Sequence, residues 1–224
     1  ISGLKDSNGF VMIDGFYDNV AEVDKRKLDL TKSIPFDKNA ILELTGAKNI
    51  LLESGQNYYS QIGLRPTFEV TGIESGYTGA GYRNSIPYQT KIKFNFRLVS
   101  NQTPEEILTK FKKYTEEKLP NFVEFEFAKP DKTEGTVRPI MLNANNPFTR
   151  KAKEILQEVY DKEVLYDFNG ATLPIVVKII EILKADLLMV ALANEDCNMH
   201  AVDENFDLQT LKKALQFSYK FLST

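Results

Sequence analysis

Between Lys91 and Leu98 every second residue is apolar. Ile92, Phe94, Phe96 and Leu98 alternate with Lys91, Lys93, Asn95 and Arg97. Strand side chains point to opposite faces in turn, so the stretch is committed to a sheet with one face buried and one in water. Thr103-Pro104-Glu105-Glu106 follows. It reads as a helix start, with proline at the first helical position and a capping box between Thr103 and Glu106. Ile107, Leu108, Phe111 and Tyr114 then give that helix an apolar stripe. Upstream, Thr67 to Ile73 alternates as a half-buried strand, and downstream Phe122 to Phe127 alternates again. Strand, strand, helix, strand is three quarters of a split βαβ sandwich, the ferredoxin-like arrangement. Its first strand and helix are expected upstream of Ile1. Because the chain opens on Ile1 rather than Met, with no element start in its first residues, it is expected to be a piece of something longer.

The segments before this unit are less regular. Phe10 to Ile13 is a short apolar run after the turn Ser7-Asn8-Gly9. Pro35 is placed at a first helical position after Ser33, with Ala40, Ile41 and Leu44 as a short stripe, and a helix-like piece spans about Leu51 to Ile62 before Pro66. Gly76-Tyr77-Thr78-Gly79-Ala80-Gly81 has the wrong spacing for a dinucleotide fingerprint, and a strand follows it rather than a helix. It is read as a connection that needs positive φ.

Composition shifts at Lys129-Pro130-Asp131-Lys132-Thr133-Glu134-Gly135, taken as a domain boundary, so that 1–129 and 130–224 are the expected domains. Beyond it the expected order is helix, strand, helix, strand, helix. Asn146-Pro147 starts a helix with Ala152, Ile155, Leu156 and Val159 inward, and Val164 to Phe168 is a short strand. Ile175 to Leu183 is a helix apolar enough to be buried on most sides. Leu187 to Ala193 is a buried strand, and the last helix carries Leu208, Leu211, Leu215 and Leu222. Alternating β and α predicts an α/β layer, too thinly furnished here to cover both faces of a sheet.

A formal net charge of −3 over 224 residues offers no basic surface for nucleic acid. No apolar run approaches membrane-spanning length, which predicts no membrane partner. The single cysteine, Cys197, rules out an internal disulfide framework and fits a reducing, cytoplasmic compartment.

The only histidine, His200, falls in the polar loop after the run Leu187 to Ala193, where α/β folds place their chemistry. Glu204 stands within reach as an orienting carboxylate. Cys197-x-x-His200 could form a two-ligand clip, but no second cysteine or histidine exists to close it.

Several stretches together resemble the zinc-dependent metallopeptidases that include carnosine-type dipeptidases, aminoacylases and succinyl-diaminopimelate desuccinylases. Met199-His200-Ala201-Val202-Asp203-Glu204 resembles that family's C-terminal Ala-His-Ser-x-Asn-Glu. Phe96-Arg97-Leu98-Val99-Ser100-Asn101-Gln102-Thr103-Pro104-Glu105 resembles its Phe-Arg-Leu-Val-Pro-Asn-Gln-x-Pro-Glu, and Gly170-Ala171-Thr172-Leu173-Pro174 its Gly-Gly-Ser-Ile-Pro. Arg65-Pro66-Thr67 and Gly15-Phe16-Tyr17-Asp18 match the dipeptidase branch, and the matches fall in family order over nearly the whole chain.

The resemblance implies an incomplete ferredoxin-like lid, or dimerisation, domain over 1–129, followed by the C-terminal part of an α/β zinc-peptidase catalytic domain. It makes His200 a zinc ligand and Arg97 the clamp for a substrate carboxylate. Gly170, Ala171 and Thr172 would meet substrate, Thr172 serving also as a helix N-cap. In relatives a complete site holds two Zn2+ and hydrolyses a dipeptide by zinc-activated water. This chain would carry at most a partial site and be inactive alone. The general base and the other ligands would come from a missing N-terminal half of the catalytic domain. A homodimer through the lid is implied. The rival readings are an N-acyl amino acid deacylase of the same family and a non-catalytic dimerisation or binding module. Ala171, Ala201 and Asp203 depart from the usual glycine, serine and asparagine, and Asn84 stands where some dipeptidases have a substrate-binding threonine.

Overall fold

The computed structural model describes residues 3–128, 136–142, 146–170, 173–194, 196–199 and 201–223. By contacts along the chain these divide into two compact units. One comprises Ile1–Ile140 with Tyr166–Val177, the other Met141–Leu165 with Lys178–Thr224.

The first unit is built on a two-stranded antiparallel sheet, β1 (Thr67–Ser75) and β2 (Thr90–Arg97). Phe68 pairs with Phe96 and Val70 with Phe94, and a register shift between Val70 and Gly72 carries the ladder on to Ser75 and Thr90. The alternation expected for Lys91 to Leu98 is present, with Ile92, Phe94 and Phe96 half-buried and Leu98 buried. Between the strands, Gly76 and Gly81 take φ of 72° and 82°, the left-handed backbone that glycine alone adopts freely. Helix α4 (Pro104–Lys118) lays Ile107, Phe111 and Tyr114 on the sheet. These are spaced i, i+4, i+7, and Leu108, expected in the stripe, lies a quarter-turn round and is exposed. Leu4, Val11, Ile13 and Phe16 complete the core from the N-terminal segment.

Helix α1 (Lys25–Lys32), not expected from the sequence, starts at Asp24, whose carboxylate accepts the Lys27 amide. Helix α2 (Lys38–Thr45) contains the stripe around Ile41, but its cap is Asp37, so Pro35 lies ahead of the helix rather than in its first turn. Helix α3 (Tyr58–Leu64) replaces the longer helix expected from Leu51, with a reciprocal capping box between Asn57 and Ser60. The box expected at Thr103 is half made. Thr103 accepts the Glu106 amide, while the Glu106 carboxylate takes hydrogen bonds from Lys110 and Asn19 instead.

The expected strand from Phe122 to Phe127 does not form. A strand exists only through a neighbour's backbone hydrogen bonds, and none lies beside it among the described residues. Phe127 still packs its ring 5.6 Å from Phe111.

In the second unit helix α5 (Pro147–Tyr160) is capped by Asn146 as expected, with Ala152 buried. It packs on α7 (Leu208–Ser223), and Lys220 donates to Glu158. The buried face of α7 is Ala214 and Phe217, and the leucines expected to line it are exposed. Helix α6 (Pro174–Leu183) begins in the first unit and ends in the second; it buries only Val176 and Val177, both in the first unit, and Ile182 is 76% exposed. This corrects the expectation of burial on most sides: eight of its ten residues are not buried. Val164 to Phe168 and Leu187 to Ala193 run without ladder partners, so neither expected strand forms among the described residues.

Candidate functional site

Sequence reasoning placed the site at Arg97, Gly170, Ala171, Thr172 and His200. Ala171, Thr172 and His200 lie outside the described residues. Arg97 ends β2, its Cα opposite Thr67, with its side chain exposed. No ion pair engages it among the described residues. Gly170 abuts the C-terminal turn of α3, where a Cβ would overlap the carbonyl oxygen of Ile62. Residues 62–67 therefore touch Gly170 at one end and pair with Arg97 at the other.

That segment is fixed by a buried polar cluster the sequence did not single out. Arg65 Nε lies 2.5 Å from Glu53 Oε2, with the two side chains 14% and 6% exposed. The Tyr17 hydroxyl donates to Glu53 Oε1 at 3.3 Å and accepts the Val11 amide at 3.0 Å. The Arg65 guanidinium stands 5.2 Å over the Tyr17 ring. Burial pushes the Tyr17 hydroxyl up to about 12, against the Val11 hydrogen bond and with the Glu53 carboxylate adding to the rise. The Glu53 amide in turn donates to the Gln61 side chain at 2.9 Å. Arg65 appeared in the sequence only as part of Arg65-Pro66-Thr67. The signal for its neighbour was Gly63, a glycine inside an apolar helical stretch, which marks a close backbone approach.

After the run Leu187 to Ala193, Asn194 ties the chain to the start of the last helix. Its side chain accepts the Asp207 amide at 3.0 Å and donates to Asp196 at 2.7 Å. The Thr210 hydroxyl and amide hold the Asp207 carboxyl below its usual range. The zinc that the resemblance implies needs three or more converging ligands. No such group of His, Cys, Asp or Glu occurs among the described residues, which by themselves do not hold the ion. Nor is any described helix long and apolar enough to cross a membrane.

Residues 30–123 match the family model for the peptidase dimerisation domain of M20 enzymes. The chain is similar to M20 metallopeptidases, and its mixed helix and small-sheet architecture matches their solved structures. Over 93% of its length it is 22% identical to the Cys-Gly metallodipeptidase DUG1 of Saccharomyces cerevisiae, and it covers 43% of that protein. To the Beta-Ala-His dipeptidase of Rattus norvegicus it is 22% identical over 92% of the chain and 42% of the relative. Among solved structures, the M20 family metallo-carboxypeptidase Sso-CP2 from Sulfolobus solfataricus matches 99% of the chain and 49% of its own length. The TM-score is 0.84 at 27% identity. The chain thus spans less than half the length of the curated relatives it matches.

Proposed function

We propose that the chain supplies the lid and the C-terminal part of the catalytic domain of a zinc metallopeptidase that hydrolyses dipeptides or similar small amides. The observation that supports this is the likeness, in order and over nearly all of the chain, to metallodipeptidases. In this reading the functional boundary falls at 129/130. The Arg97 guanidinium takes the substrate's terminal carboxylate through paired N–H donors, which its exposed position leaves free to turn toward a ligand. Gly170 and Ala171 present backbone to the substrate, the Thr172 hydroxyl joins them, and His200 gives its imidazole to the metal. The general base and the other ligands come from outside these residues. The enzyme is cytoplasmic and a homodimer through residues 30–123.

The test uses the full product of the gene that encodes this chain. Cys-Gly, β-Ala-His and N-acetylated amino acids are assayed before and after chelation and zinc return. Dipeptide hydrolysis that chelation abolishes and zinc restores is the expected result. Turnover of N-acyl amino acids alone would make the protein a deacylase, and no turnover with zinc restored would make it a non-catalytic module.

A further inference from the structure

We propose that Gly63 is a positioning residue, whose missing side chain sets where the loop at Asn169 and Gly170 stands against helix α3. The inference rests on the reading above that this loop meets substrate.

Gly63 lies within α3, where a glycine weakens a helix relative to alanine, and its helical backbone asks for no glycine. What it provides is room. A Cβ there would overlap the Phe168 carbonyl oxygen, with the Phe168 carbonyl carbon at 2.6 Å and its Cβ at 2.8 Å. From the other side, a Cβ on Gly170 would overlap the Ile62 carbonyl oxygen and stand 3.8 Å from the Gly63 Cα. Two stretches of backbone therefore meet with a glycine on each, and backbone cannot swing aside as the end of a long side chain can.

The surface they meet on is tied down at several points. Helix α3 is capped at its start by the Asn57–Ser60 box, and Asn57 also donates to Thr31 at 2.8 Å. Ser60 and Leu64 are buried, and Tyr59 reaches the Pro35 carbonyl at 2.8 Å. Past its end, Arg65 is bound to Glu53, and Thr67 enters the ladder opposite Arg97. The stop against which the loop rests is thus tied to the strand end that carries the carboxylate clamp.

The experiment compares Gly63→Ala with Gly72→Ala in the full gene product. Gly72 serves as control because a Cβ there meets only the Lys93 side chain at 3.4 Å or more. Amide exchange over residues 166–170 reads the position of the loop without reference to activity. Steady-state kinetics on a dipeptide read its contact with substrate. Gly63→Ala is expected to speed exchange there about tenfold and raise KM about tenfold, with kcat within about threefold of wild type. Gly72→Ala should change neither. A merely structural loss would lower kcat with the fraction folded and leave KM alone, which would overturn the proposal, as would unchanged exchange. Faster exchange with KM unchanged would remove the loop from the substrate and sink the inference through the reading it rests on. Should the wild type hydrolyse nothing, that reading fails, and the exchange arm alone decides the contact. If Gly63→Ala does not fold, Arg65→Lys keeps a cation on Glu53, loosens the end of α3 and is expected to give the same pair of changes.

Discussion

Arg65 Nε lies 2.5 Å from Glu53 Oε2, in a largely buried polar cluster whose third member, Tyr17, packs against the core of the first unit. Breaking such a pair from one side leaves the other charge buried and alone. Arg65→Met is expected to destabilise the protein by roughly 3–5 kcal/mol. The double change Arg65→Met with Glu53→Met should recover a large part of that. Urea unfolding midpoints of the three chains check it, and a double variant no more stable than the single one would contradict it.

Tyr17 gives the same cluster an alkaline limit. Its hydroxyl is pushed up to about 12 by burial, above the value of 10.0 in an unfolded chain. Between these values the unfolded chain has lost the proton and the folded one still holds it. The folded state then binds more protons, so stability falls as pH rises through that window. Tyr17→Phe has no such proton to lose. Its stability deficit against wild type should narrow as pH rises from about 10 towards about 12, as followed by denaturant titration. A deficit constant with pH would place Tyr17 in water.

Phe111 is the hub of the aromatic core. Its ring lies 4.9 Å from Phe94, 5.3 Å from Phe96, 5.7 Å from Phe68 and 5.6 Å from Phe127. Phe111→Ala removes every one of these contacts and opens a cavity, at about 3–5 kcal/mol. Phe125→Ala, at a 42% exposed position, should cost far less. Thermal unfolding of both variants separates the two sites.

Arg97→Lys tests the carboxylate clamp in the complete enzyme. Lysine keeps the charge and loses the planar fork, so the expected loss is on the order of 1–3 kcal/mol in kcat/KM. Because Arg97 is exposed, the free energy of unfolding should stay within about 0.5 kcal/mol of wild type. Unchanged kinetics on a carboxylate substrate would remove Arg97 from the site.

The 224-residue chain by itself is expected to hydrolyse no dipeptide, with or without added zinc, since one imidazole cannot make a metal site. Turnover above a His200→Ala control would overturn this.

The parts of the fold legible in the sequence are those decided within a few residues. β2 follows from alternation, α4 from Thr103 and Pro104, α5 from Asn146, and the bend after β1 from glycines at φ of 72° and 82°. Each rests on hydrogen bonds or side-chain directions that near neighbours supply. The motif order that carries the family likeness was legible too, and the comparisons with M20 metallopeptidases agree with it.

Partners distant in the chain decided the rest. Phe122 to Phe127 has a strand's alternation and no strand, because alternation cannot provide the neighbouring backbone. Glu106 had a capping box within reach and gave its carboxylate to Lys110 and to Asn19, 87 residues away. Glu53 and Arg65 stand 12 residues apart with no pattern between them that foretells a pair, and the fold buries them together. The need for a glycine at position 63 comes from Phe168, 105 residues on, whose backbone lies where a Cβ would be. A sequence names the groups that can bond. Which of them lose water together, and so must find one another, is set only when the chain closes on itself.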